Sequence, residues 1–164
     1  KPGEQPAQIL DWLYLGDLKE ALDLPSLEQR GIGAVLNVID WWELGNKLRV
    51  LLPGVESEYL EAHYDRHKFR YCGIDLEDRL FSDIAKSGAW SAASEFLESC
   101  RSRFMAAREA GTSTRGLGVL VNCVAGHNRS AAIVVSWLVL RERLGVVEAC
   151  ALAQDRRGCI LSNH

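Results

Sequence analysis

A short apolar run, Gly118-Val-Leu-Val121, leads through a loop containing Gly126 into a second apolar segment of helical length, Ser130 to Arg143, which stops before Gly145. A helix apolar on so many sides must be covered by other protein, and the strand that feeds it must be covered too. Its apolar stretch, Ala131 to Leu140, is about half of what a bilayer crossing requires, so the covering is protein and not lipid.

The remainder of the chain supplies partners for such layers. Residues 8 to 15 read as short strands ending at Gly16, and Leu18 to Gln29 as one or two short helices broken near Pro25. Ala34 to Val38 and Phe69 to Ile74 read as buried strands. From Ile84 to Ala110, apolar residues at Trp90, Ala93, Leu97, Cys100 and Phe104 predict a long amphipathic helix closed by Gly111. Val147 to Arg157 predicts a further helix, ended by Gly158. Asp40 to Lys68 reads as a loop with one helix around Glu56 to His67, and Asp75 to Ser82 as an acidic loop. Alternating strands and helices define an α/β class with a central sheet flanked by helices. Periodicity does not order the strands.

The 164 residues suffice for one domain, expected over 1–164, and their 48% hydrophobic and 25% charged content is that of a globular chain. A net charge of −3 without a Lys/Arg block argues against nucleic acid or an anionic membrane as main partner. The opening residues 1 to 6 lack the apolar core of a signal peptide. Five cysteines at wide, irregular spacing form no CxxC pair, which suggests reduced thiols in the cytoplasm or nucleus. His63 and His67 sit one helical turn apart, but two ligands do not make a site; no metal or other cofactor is expected. Nothing in the pattern sets the oligomeric state.

The residues that carry chemistry are Val119 to Ser130. A strand delivers Cys123 to a loop mouth, and Arg129 follows where the helix begins. Successive N–H groups at a helix N-terminus converge on one point and cradle an anion. Gly126 permits the tight turn, and the guanidinium of Arg129 matches two phosphate oxygens. The same positive field favours thiolate at Cys123. A helix dipole supplies at most about 2 kcal/mol of that preference, so the loop N–H groups and Arg129 must add to it.

Asn122-Cys-Val-Ala-Gly-His-Asn-Arg-Ser130 resembles the His-Cys-x-x-Gly-x-x-Arg-Ser/Thr phosphate-binding loop of the dual-specificity protein tyrosine phosphatases. Trp12-Leu-Tyr-Leu-Gly16, Gly31-Ile-Gly-Ala-Val-Leu-Asn-Val38 and Arg156-Arg-Gly-Cys-Ile-Leu-Ser-Asn163 are similar to further segments of that family. The resemblance implies a mixed, mostly parallel sheet flanked by helices, with the last helix of the fold cut short. It implies hydrolysis of phosphotyrosine, with phosphoserine and phosphothreonine in the same class, through a cysteinyl-phosphate. Cys123 is then nucleophile, Val124, Ala125, Gly126, His127, Asn128 and Arg129 bind phosphate, and Ser130 eases departure of the thiophosphate. Asp78 is the expected general acid, with Asp75 and Asp83 as rivals, and Asn163 braces the loop.

Asn122 departs from the pattern: it stands where the family has a histidine that supports the loop, and an amide carries no charge. This keeps open a weak or inactive phosphatase that binds phosphoproteins. The loop has no lysine, which favours a phosphorylated protein over a phosphoinositide as partner. Cys72 is a candidate to resolve an oxidised Cys123. Trp41 and Trp42 either shape a substrate groove or pack against the core, packing being the simpler expectation.

Overall fold

The computed structural model describes residues 6–77, 84 and 88–162. Its sheet has five strands in the order β1 (Ala7–Gln8), β2 (Leu13–Gly16), β5 (Gly118–Asn122), β3 (Ile32–Val38), β4 (Arg70–Ile74). The short edge strand β1 runs antiparallel to β2, and every other pairing is parallel. The sheet is thus mixed and mostly parallel, as the resemblance implied. Central β5 is buried along its whole length, with Val119 opposite Leu13 on one side and Ala34 on the other.

Side chains alternate between the two faces, as pleating requires. One face gathers Leu13, Leu15, Leu36, Val119 and Val121 under α5 (Ala89–Glu109), α6 (Arg129–Leu140) and α7 (Val146–Arg157). There Trp12 meets Trp137 edge-on at 5.5 Å. The other face gathers Tyr14, Val35 and Leu120 under α1 (Leu18–Leu22), α2 (Leu24–Gln29), α3 (Trp41–Leu51) and α4 (Leu60–Arg66). Cys72 packs with the first cluster and Cys123 with the second, which argues against Cys72 as the thiol that resolves an oxidised Cys123.

The break in Leu18–Gln29 falls at Asp23, which ends α1 and caps α2, while Pro25 sits in the first turn of α2, where a missing N–H costs nothing. The region Asp40–Lys68 holds two helices instead of one. The second, α4, is entered through a single tight turn at Ser57–Tyr59. The additional one, α3, starts at Trp41 because the Asp40 carboxylate accepts from the Glu43 amide at 3.0 Å. It stays because Leu44 and Leu48 are fully buried.

Parallel strands bring their carboxyl ends to one edge of the sheet. Gly16, Val38, Ile74 and Asn122 all end there, the edge where open α/β sheets place their ligands. Among the described residues, no helix is long and apolar enough to cross a membrane.

Candidate active site

Cys123 follows the last residue of β5 and is buried, and Arg129 opens α6 five residues after the intervening loop begins at Val124. The loop turns at Gly126, whose φ is +71°, a left-handed conformation that costs other residues energy. A Cβ there would also fall 2.5 Å from the Gly16 carbonyl oxygen and 2.7 Å from a guanidinium nitrogen of Arg157. Only glycine fits. The Leu18 amide donates to the Val124 carbonyl (3.2 Å) and the Leu161 amide to the His127 carbonyl (2.8 Å). Both carbonyls are thereby engaged from outside, which spares an anion in the loop their lone pairs.

Ser130 Oγ donates to Cys123 Sγ at 3.2 Å, both residues being buried. Arg129, only 6% exposed, donates from one terminal nitrogen to Glu43 Oε2 at 2.8 Å and to the Leu76 carbonyl at 3.2 Å. Charge-assisted bonds of this kind hold a guanidinium in one orientation. Glu43 lies in the first turn of α3, so the helix missing from the sequence reading aims the arginine. Val124 and His127 are half-buried, Ala125 is exposed, and the carbonyl of Asn128 accepts the Ala132 amide at 2.8 Å in the first turn of α6.

A second set of ties lies behind the loop. Arg157 is nearly sealed and donates to Glu20 Oε1 at 3.0 Å, with Asp17 at 3.9 Å. Asp17 and Glu20 also form the capping box of α1, so one cluster holds the helix start and the back of Gly126 together.

Beneath Cys123, Asn122 is fully buried and donates through Nδ2 to Asn37 Oδ1 at 3.2 Å; Asn37 in turn donates to the Tyr71 hydroxyl at 3.3 Å. Asn122 Oδ1 has no hydrogen-bond partner among the described residues. Burial pushes the Tyr71 phenol up to about 12, against the opposing bond from Asn37. Tyr71 stacks on Tyr64 at 4.9 Å, whose hydroxyl donates to the Ala21 carbonyl at 2.7 Å.

Of the residues expected to act, Cys123, Arg129, Ser130 and the loop residues between them are brought together, with Asn122 behind them. Asp75 is otherwise engaged: its carboxylate accepts from the Trp41 amide at 2.9 Å and pins the start of α3. Asp78, Asp83 and Asn163 lie outside the described residues. Trp41 leans over β4, close enough that a Cβ at Gly73 would meet its ring at 3.1 Å, yet stays 44% exposed, and Trp42 is 80% exposed, so neither is a core residue. The sequence reading missed Glu43, Asn37, Tyr71, Glu20 and Arg157, all of which act on the loop from distant parts of the chain.

Strand, glycine-turned loop carrying cysteine and arginine, and buried helix form one continuous unit at the carboxyl edge of the sheet. The profile of the family described as "Dual specificity phosphatase, catalytic domain" matches residues 13–164, and the chain belongs to that family. It is 31% identical over 159 residues to dual specificity protein phosphatase 2 of Mus musculus, a match covering 96% of this chain and 39% of that protein. With dual specificity protein phosphatase 4 of Homo sapiens it shares 30% identity over 161 residues, covering 96% and 32%. The chain therefore spans well under half the length of these relatives. Among solved structures, the human tyrosine phosphatase-like serine/threonine/tyrosine-interacting protein superposes with a TM-score of 0.62 at 23% identity, covering 96% of this chain and 87% of that one. PTPMT1 in complex with PI(5)P superposes with a TM-score of 0.64 at 16% identity, covering 93% and 83%. Both share the fold.

Proposed function

We propose that this chain hydrolyses phosphomonoesters on protein side chains, phosphotyrosine foremost, through a phosphocysteine intermediate. The observation that carries the reading is the 3.2 Å contact of Ser130 Oγ with Cys123 Sγ at the foot of a loop whose far end is Arg129. The thiolate attacks phosphorus in line, forming S–P as the ester P–O bond breaks, while the loop amides and Arg129 stabilise the equatorial oxygens. Asp78 gives its proton to the departing oxygen, and then, as carboxylate, takes one from the attacking water. Water displaces sulfur, releasing inorganic phosphate, and Ser130 donates its hydrogen bond to the returning thiolate. Glu43 keeps Arg129 aimed throughout.

Val124, Ala125, His127 and Asn128 bring no fixed charge to the loop. One dianion is therefore matched better than a multiply phosphorylated headgroup, and the PI(5)P of the solved relative is not carried over at 16% identity.

A phosphoprotein binder without turnover is the second reading. It is favoured by Asn122, whose neutral amide leaves one buried acceptor unpartnered beside the nucleophile. Aryl phosphate hydrolysis by the wild type and by Cys123→Ser separates the two. Turnover that the serine variant loses by at least about 10³-fold supports the enzyme. Tight phosphopeptide binding with no turnover in either protein selects the binder.

A further inference from the structure

At the edge of the sheet opposite the catalytic loop lies an open groove of about 760 Å³. Gly118, at the start of β5, is on its wall, while Cys123 follows the end of that strand, roughly 16 Å away at about 3.3 Å per residue. The two sites are separate.

Its charge is unlike that of the rest of the chain. The whole sequence carries −3, yet Arg30, Arg108 and Arg115 line this groove against the single carboxylate of Asp11. Asp11 is committed to Arg108 at 3.2 Å. Among the described residues, neither Arg30 nor Arg115 has an ion-pair partner. Arg30 stands beside Tyr14, where its charge partly offsets the upward push of burial on that phenol. Phe104 and Tyr14 give the groove an aromatic floor.

The walls are held in place. The amides of Gly116 and Gly118 both donate to the Gly31 carbonyl, at 2.9 and 3.0 Å, and Thr112 Oγ1 donates to the Ala107 carbonyl at 3.1 Å. A groove organised in advance loses little freedom when a ligand enters. Its cations come from three separate elements: Arg30 just beyond α2, Arg108 near the end of α5, and Arg115 in the loop before β5. One small anion would need donors converging on a point, as in the catalytic loop. Cations spread along a trough, with the amides of Gln8 and Gln29 also lining it, match negative charges spaced along a peptide.

We propose that this groove is a docking site for a carboxylate-rich peptide segment of a partner protein. Its cations are solvent-accessible, so each contact contributes little and binding is weak and screened by salt. The site does not depend on catalysis at Cys123.

Fluorescence anisotropy of the full chain with a short, unphosphorylated Asp/Glu-rich peptide tests the proposal. Saturable binding that weakens with added salt is expected. Reversing two charges, Arg30→Glu with Arg115→Glu, should weaken it about tenfold or more, while Asp11→Asn, which frees Arg108, should strengthen it about threefold. Aryl phosphate turnover, or phosphopeptide binding at Cys123 if there is no turnover, should be unchanged in these variants. If the double reversal disturbs folding, Arg30→Gln with Arg115→Gln keeps the test intact and should still weaken binding. Peptide affinity indifferent to both double variants would overturn the proposal. So would displacement of the peptide by vanadate, which would place it in the catalytic loop, or preference for anionic vesicles lost in the same variants.

Discussion

The loop between β5 and α6 is supported differently below and around its rim. Below Cys123 the chain Asn122–Asn37–Tyr71 consists of two amides and a phenol that burial holds neutral until about pH 12. Around the rim the supports are ion pairs, Arg129 with Glu43 and Arg157 with Glu20 and Asp17. The floor sets position without adding charge, and the rim sets charge by fixing where a guanidinium points. The loop therefore draws its fixed positive charge from residues at its edges, and a neutral floor leaves that field unaltered across the neutral pH range.

The largest effect is expected at the rim. Arg157→Met leaves Glu20 and Asp17 facing each other under Gly126, and breaking a buried pair from one side costs about 3–5 kcal/mol. Urea denaturation should show a lower midpoint at unchanged slope. The floor responds to alkali instead. Tyr71 has a folded-state pKa above its unfolded value of 10.0, so the folded chain holds that proton more tightly. Its contribution is complete below pH 10 and disappears as pH rises through about 12, amounting to about 2–3 kcal/mol. Tyr71→Phe should flatten stability against pH in that window, at a pH-independent cost of about 1–3 kcal/mol because the buried Asn37 amide loses its acceptor.

Glu43→Gln keeps the hydrogen-bonding shape but removes the charge that orients Arg129. Because Glu43 is 29% exposed, the expected loss of stability is within about 1 kcal/mol, while kcat/KM falls about tenfold. Equal losses in thermal stability and activity would mean that the pair holds α3 and not the arginine. The smallest effect is expected from Asn122→His, which gives the floor a group that ionises between about pH 5 and 8. Turnover should shift severalfold, and the pH profile of kcat/KM should gain a limb that the wild-type floor lacks.

These differences also decide what was legible in the amino-acid order. Cys123, Gly126, Arg129 and Ser130 are close neighbours in one strand–loop–helix unit, so spacing alone placed them together. Helix α3 was obscured because Gly45 lowers its helical propensity and only Leu44 and Leu48 are fully buried. The signal was present as Asp40-Trp-Trp-Glu43, an acidic cap followed three residues later by glutamate, the same spacing that starts α1 at Asp17 and Glu20. Reading it would have found the partner of Arg129. Of the floor only Asn122 was legible, as the residue in the place of the family histidine; Asn37 was not, because the two meet only where β3 and β5 lie side by side, and strand order is not encoded in any local period. Asp75 shows the converse: its place in the acidic loop beside Asp78 made it a rival acid, and in the fold its carboxylate accepts the first amide of α3.

A crystal of the wild-type chain soaked in vanadate tests the central claim most directly. The account predicts vanadium bonded to Cys123 Sγ, its equatorial oxygens held by the amides of residues 124–129 and by the Arg129 guanidinium still paired to Glu43. An oxyanion bound elsewhere, with sulfur bare and Arg129 turned out of the loop, would contradict it.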